Sequence, residues 1–139
     1  MDDINIITPI NQLGYGIAGL NIVNGLHKAG CRVALSVIGQ AEAPPNYHLV
    51  IKECSENAKM PNFDAPCVRI WHQFDMSQFI GRGDRIGFPI FELDKFTEQE
   101  VHHLSSLDKI FVCSEWAKNV IKENGIRVKT HVVPLGVDS

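Results

Sequence analysis

No stretch of this 139-residue sequence approaches the roughly 18 consecutive apolar residues of a membrane-spanning helix. It also lacks a basic surplus. Thirteen Lys and Arg stand against sixteen Asp and Glu, for a net charge of −3, which argues against a nucleic-acid binder. Cys31, Cys54, Cys67 and Cys113 stand singly, with no Cys-x-x-Cys pair and no Cys/His ladder. That pattern predicts reduced thiols and no metal site. Met1-Asp2-Asp3 has neither the basic nor the apolar region of a signal peptide, so the expected compartment is cytoplasmic. Repeats, linkers and low-complexity segments are missing too, which predicts a single domain.

What the chain does contain is an ordinary globular balance, 45% hydrophobic and 21% charged residues, arranged as short apolar runs between longer amphipathic stretches. That alternation predicts βαβ units and a parallel sheet. Ile4 to Ile7 reads as the first strand, followed by a loop over Thr8 to Leu13 and then Gly14-Tyr15-Gly16. A helix is expected from about Ile17, its apolar face built from Leu20, Val23 and Leu26 and its end set by Gly30. Arg32 to Ile38 is the second strand. Tyr47, Val50, Ile51, Cys54 and Ala58 follow helical spacing, with a strand at Leu49–Ile51 as the alternative. Cys67 to Trp71 reads as the third strand, ending at His72-Gln73. Asp75 is placed to cap a short helix through Met76, Phe79 and Ile80.

Arg85 to Phe91 is the fourth strand, interrupted by Pro89. Thr97-Glu98-Gln99-Glu100 spells a capping box for a helix carrying Val101, Leu104 and Leu107. Lys109 to Cys113 is the fifth strand. Ser114 caps a helix with Trp116, Ala117, Val120 and Ile121 on its core side, Gly125 closes it, and Thr130 to Val133 is the sixth strand. The expected architecture is a Rossmann-like, doubly wound parallel sheet of about six strands in a three-layer α/β/α domain. Sheets of this kind bind ligands beyond the carboxyl ends of their strands. Gly14 to Gly19, His72 to Asp75, Glu92 to Asp94, and Ser114-Glu115 leave those ends.

Gly14-Tyr15-Gly16-Ile17-Ala18-Gly19 fits G-x-G-x-x-G, a pattern that lets backbone approach a phosphate at a helix N-terminus. A dinucleotide cofactor is not expected. Six residues separate Ile7 from the first glycine, and Val37-Ile38-Gly39-Gln40 carries no carboxylate for a ribose. The plainer alternative is that these glycines serve chain geometry.

Ile90-Phe91-Glu92-Leu93-Asp94, Leu107 to Ala117, and Val132-Val133-Pro134-Leu135-Gly136-Val137-Asp138 together resemble the N-terminal domain of GT-B glycosyltransferases. The likeness is to the retaining group 1 (family 4) enzymes, and in element order it spans nearly the whole chain. It implies one half of a two-domain fold: an acceptor side here, and a donor-binding domain with a paired-glutamate motif that this sequence does not contain. It further implies that Gly14, Tyr15 and Gly16 face the donor diphosphate and that His72 lies at the transferred sugar as the catalytic-site histidine. The implied partners are a nucleotide sugar, a carbohydrate or lipid-linked acceptor, and a donor domain in cis or trans. No cofactor beyond the donor substrate is implied, and the isolated half is expected to be inactive alone.

From the residues themselves, Asp75, Glu92, Asp94, Ser114 and Glu115 are candidates for binding acceptor or sugar hydroxyls, each with a structural alternative as a cap or a solvated charge. His102 and His103 are adjacent on a helix and point to different faces. Lys118, Lys122, Arg127 and Lys129 form a mild basic cluster. Competing functions are a stand-alone nucleotide- or phosphate-binding module and a non-catalytic subunit of a split enzyme. An uncovered cleft face also predicts self-association.

Overall fold

The computed structural model describes residues 2–11, 14–73 and 75–133, without the side chain of Tyr15. Six strands form one all-parallel sheet: β1 (Asp3–Thr8), β2 (Arg32–Val37), β3 (Cys67–Trp71), β4 (Arg85–Pro89), β5 (Lys109–Val112) and β6 (Thr130–Val132). Their order is β2-β1-β3-β4-β5-β6. Four helices flank the sheet: α1 (Gly14–Lys28), α2 (His48–Asn57), α3 (Glu98–Ser105) and α4 (Glu115–Glu123). The expected Rossmann-like three-layer domain is the observed fold. Among the described residues no helix is long and apolar enough to cross a membrane.

Side-chain alternation along the strands divides the core in two. Ile6, Leu35, Val68, Ile70 and Phe88 face one way and bury against Leu20 and Val23 of α1 and Cys54 of α2. Ile110 and Val112 face the other way, against Leu104 of α3 and Ala117 and Ile121 of α4. Strands buried on both faces read as near-continuous apolar runs, which is why the strands were legible. The capping box is present: the Thr97 amide donates to Glu100 Oε1 at 2.9 Å, and the Glu100 amide donates to Thr97 Oγ1 at 3.2 Å. Ser114 caps α4 by accepting from the Ala117 amide at 3.1 Å. Gly30 and Gly125 both take positive φ where they close α1 and α4, a conformation that costs glycine least.

Four expectations are corrected. The helix α1 starts at Gly14 rather than Ile17, so the glycines form its first turn instead of a loop before it. Residues 75–80 form no helix, because Asp75 turns its carboxylate and its carbonyl onto Arg69. The strand β4 stops at Pro89, the last residue paired with β3; proline has no N–H to offer β5, whose pairing with β4 ends at Gly87. Trp116 is 48% exposed, not core; its indole leans on Phe91, with ring centroids 5.9 Å apart. The Pro134 to Asp138 run, Gln12, Leu13 and Phe74 lie outside the described residues.

All four cysteines are free thiols, Cys54 and Cys67 buried and Cys31 and Cys113 half-buried. Burial, and after it the neighbouring Glu53 carboxylate, pushes the Cys54 thiol up to about 11. A thiol reagent at pH 8 is therefore expected to label Cys31 and Cys113 in the native protein, and Cys54 and Cys67 only in denaturant. Labelling of Cys54 at a rate matching Cys113 would contradict this packing.

Candidate functional site at the carboxyl ends of the strands

The strand order sets the site. After β1 the chain passes to the α1 side, whereas after β3 it passes to the opposite side, where Met76 packs with Leu104 and Leu107. Neighbouring strands whose continuations diverge open a crevice at their carboxyl ends, here between β1 and β3. Because β1, β3, β4 and β5 are consecutive in the sheet, their exits line up about 4.8 Å apart. The first turn of α1, His72, the 92–94 segment and Ser114 follow those four exits.

The first turn of α1 is tightly seated. A Cβ on Gly16 would collide with the side chain and amide of Asn11, and one on Gly19 would strike Thr8 Oγ1 and the Pro9 carbonyl. Gly16 and Gly19 therefore let α1 press against the end of β1, so the geometric reading of these glycines holds there. The first amides of a helix have no partner within it and sit at the positive end of its dipole, so this turn also favours an anion. Gly19→Ala is expected to destabilise the fold by about 1–3 kcal/mol, the usual cost of overpacking, despite alanine's higher helix propensity. Urea unfolding checks it: a stabilised variant would mean that the contact is slack.

His72 is half-buried and leans edge-on against Trp71, with ring centroids 4.6 Å apart. Its carbonyl accepts from the Asp75 amide at 3.2 Å, closing the turn that leaves β3. Gln73, also in this turn, is 6% exposed and hydrogen-bonds Glu100 of the α3 capping box. Burial would raise the Glu100 carboxyl, but hydrogen bonds from Thr97 and Gln73 outweigh it and hold the group below its ordinary value. One buried carboxylate thus ties the exit of β3 to the start of α3.

The remaining candidates separate. Glu92 and Asp94 are exposed beside the exit of β4, and Asn124 pins their segment by donating to the Asp94 carbonyl at 3.0 Å and accepting from the Phe96 amide. Ser114 has its Oγ engaged as a cap. Glu115 lines a separate groove of about 700 Å³ beside α4, together with Lys118, Lys122 and Arg127. Asp75 is held by Arg69, whose Nη2 donates to its carboxylate at 3.0 Å and whose Nε donates to its carbonyl at 2.9 Å. Arg69 was not among the expected site residues, and Gln73 was expected only as part of the His72 to Asp75 segment, with no role of its own. Arg69 sits inside an apolar strand run, where alternation alone does not tell a charge with a partner from one at an edge.

Three large hydrophobic side chains stand exposed on this rim: Ile17 at 44%, Leu93 at 41% and Trp116 at 48%. Each belongs to the first residues beyond a strand exit or in the helix that follows it. Among the described residues no group of His, Cys, Asp and Glu could hold a metal ion. No protein-family model matches the chain, and no curated protein matches it.

Proposed function

We propose that this domain is the acceptor-binding half of a retaining glycosyltransferase of the GT-B, group 1 type. The observation that carries the reading is the rim itself. Exits of four adjacent parallel strands bear a glycine-started helix, His72, Glu92 with Asp94, and Ser114, beside exposed Ile17, Leu93 and Trp116. An apolar fringe around a polar crevice suits a face that closes against a second domain.

In this reading a nucleotide sugar is held across the cleft, and the first turn of α1 faces its diphosphate. His72 hydrogen-bonds a hydroxyl of the transferred sugar. The bond from the anomeric carbon to the leaving phosphate breaks as the acceptor oxygen bonds on the same face, and the departing phosphate takes the acceptor's proton. The acceptor is a carbohydrate or a lipid-linked carbohydrate.

A donor-binding domain fused after residue 139 and supplied with nucleotide sugars tests this. Transfer is expected, and His72→Ala is expected to lower its rate at least about tenfold, the equivalent of about 1.4 kcal/mol in the transition state. Undiminished turnover in that variant overturns the role of His72, and no transfer to any acceptor overturns the reading. The glycines opening α1 favour a second reading, a nucleotide- or phosphate-binding module without chemistry. Calorimetric titration that finds nucleotide binding but no transfer would establish it. An unclosed rim should also self-associate, which sedimentation at rising concentration will reveal.

A further inference from the structure

At the carboxyl ends of β1 and β2, on the sheet face opposite α1 and α2, lies a recess beside the crevice described above. Ile7, Ser36 and Arg69 are register neighbours on β1, β2 and β3 and so share one face. The segment from Asp75 to Ile80 roofs that face and leaves an open pocket of about 560 Å³, lined also by Ile38, Gln78 and Phe79. That volume lies within the roughly 300–1,000 Å³ typical of small-molecule sites.

Its polar groups are built rather than incidental. Arg69 is 5% exposed, a burial that charged side chains almost never reach unpaired. Its Nε and Nη2 are engaged by Asp75, while Nη1 donates to nothing among the described residues. The Asp75 carboxylate accepts Nη2 on Oδ2 alone, leaving Oδ1 available, and its side chain is 38% exposed. A donor and an acceptor therefore face one pocket whose charge pair sums to zero. An anion would satisfy Nη1 but meet the Asp75 carboxylate, and a cation would meet the guanidinium. Adjacent hydroxyls satisfy both, since each can donate and accept. Ser36 and Gln78 add further polar groups, and the half-buried Phe79 ring offers an apolar wall.

We propose that this pocket is a carbohydrate subsite taking a neutral sugar ring, with neighbouring hydroxyls bridging Arg69 Nη1 and Asp75 Oδ1 and the ring's apolar face on Phe79. The inference deepens the glycosyl-transfer reading by naming a sugar of the acceptor, and rests on that reading for this role alone.

The experiment is a titration of the isotopically labelled chain with glucose, galactose, mannose and N-acetylglucosamine, followed by backbone and Arg Nε–H shifts. At least one sugar should give saturable shifts at Ser36, Arg69, Gln78 and Phe79, with a dissociation constant of about 1–10 mM. Gln78→Ala and Ser36→Ala should each weaken it about three- to tenfold, the worth of one neutral hydrogen bond, while Lys122→Ala leaves it unchanged. No saturable shift with any of the four sugars overturns the proposal. So do shifts that map elsewhere, or pocket shifts produced by malonate or phosphate and not by the sugars. Binding here without transfer in the fused enzyme would uphold the pocket and overturn the transfer reading; transfer without binding here would do the reverse.

Discussion

Asp75→Ala should lower the free energy of unfolding by about 3 kcal/mol. The reason lies with its partner, the guanidinium of Arg69, a residue 5% exposed. Removing one member of a buried ion pair costs about 3–5 kcal/mol, mostly as the penalty of the charge left behind. The lower end applies here because the Asp75 side chain is 38% exposed and part of its charge is already hydrated. The carbonyl of residue 75 still accepts from Arg69 Nε in the variant, which limits the loss further. Urea unfolding measures it, and a change under about 0.5 kcal/mol would mean that water replaces the carboxylate. The double variant Arg69→Met with Asp75→Ala should recover much of the loss, because an apolar side chain leaves no charge stranded.

Phe88→Ala should cost more, about 3–5 kcal/mol. Phe88 is 1% exposed at the penultimate position of β4, within the cluster that joins the sheet to α1 and α2. Its ring meets Phe111 of β5 edge-on, with centroids 6.2 Å apart, an arrangement worth about 0.5–1.5 kcal/mol beyond its area. Truncation removes both and leaves a cavity walled by strands that cannot close in. At roughly 4 °C per kcal/mol for a chain of this size, the melting temperature should fall by about 12–20 °C. Calorimetry decides, and a drop under about 5 °C would show that the core refills the space. The rim lies one turn beyond β4, so the loss should spread to the site only through global unfolding.

Most of the fold was legible because burial on both sheet faces writes each strand as a compact apolar run, as at Cys67–Trp71. Caps were legible because they are local: Thr97 and Glu100, or Ser114 and Ala117, lie three residues apart. The errors share one cause. Asp75 reads locally as a cap, yet Arg69, six residues back on β3, takes its carboxylate. Trp116 fits a core stripe, yet α4 begins at the rim, where its ring leans on Phe91 and stays 48% exposed. Gly14 and Gly16 read as loop because glycine is a weak helix former, whereas close approach to Asn11 makes Gly16 necessary inside the helix. Of the candidate site, the strand-exit positions were legible, whereas the inward-facing Arg69 and the bond from Gln73 to Glu100 were not.

The absence of long apolar runs, basic surplus and paired cysteines bounded the class of protein before any element was placed. Apolar periodicity then determined an α/β domain with six strands, because periodicity is a local consequence of which faces are buried. The order β2-β1-β3-β4-β5-β6 was decided only in three dimensions, since pairing between strands far apart in the chain leaves no local mark. That order puts His72 beside the α1 turn and lays Ser36, Ile7 and Arg69 side by side beneath Phe79. Which polar groups share a pocket depends on long-range register, and no spacing along the chain encodes it.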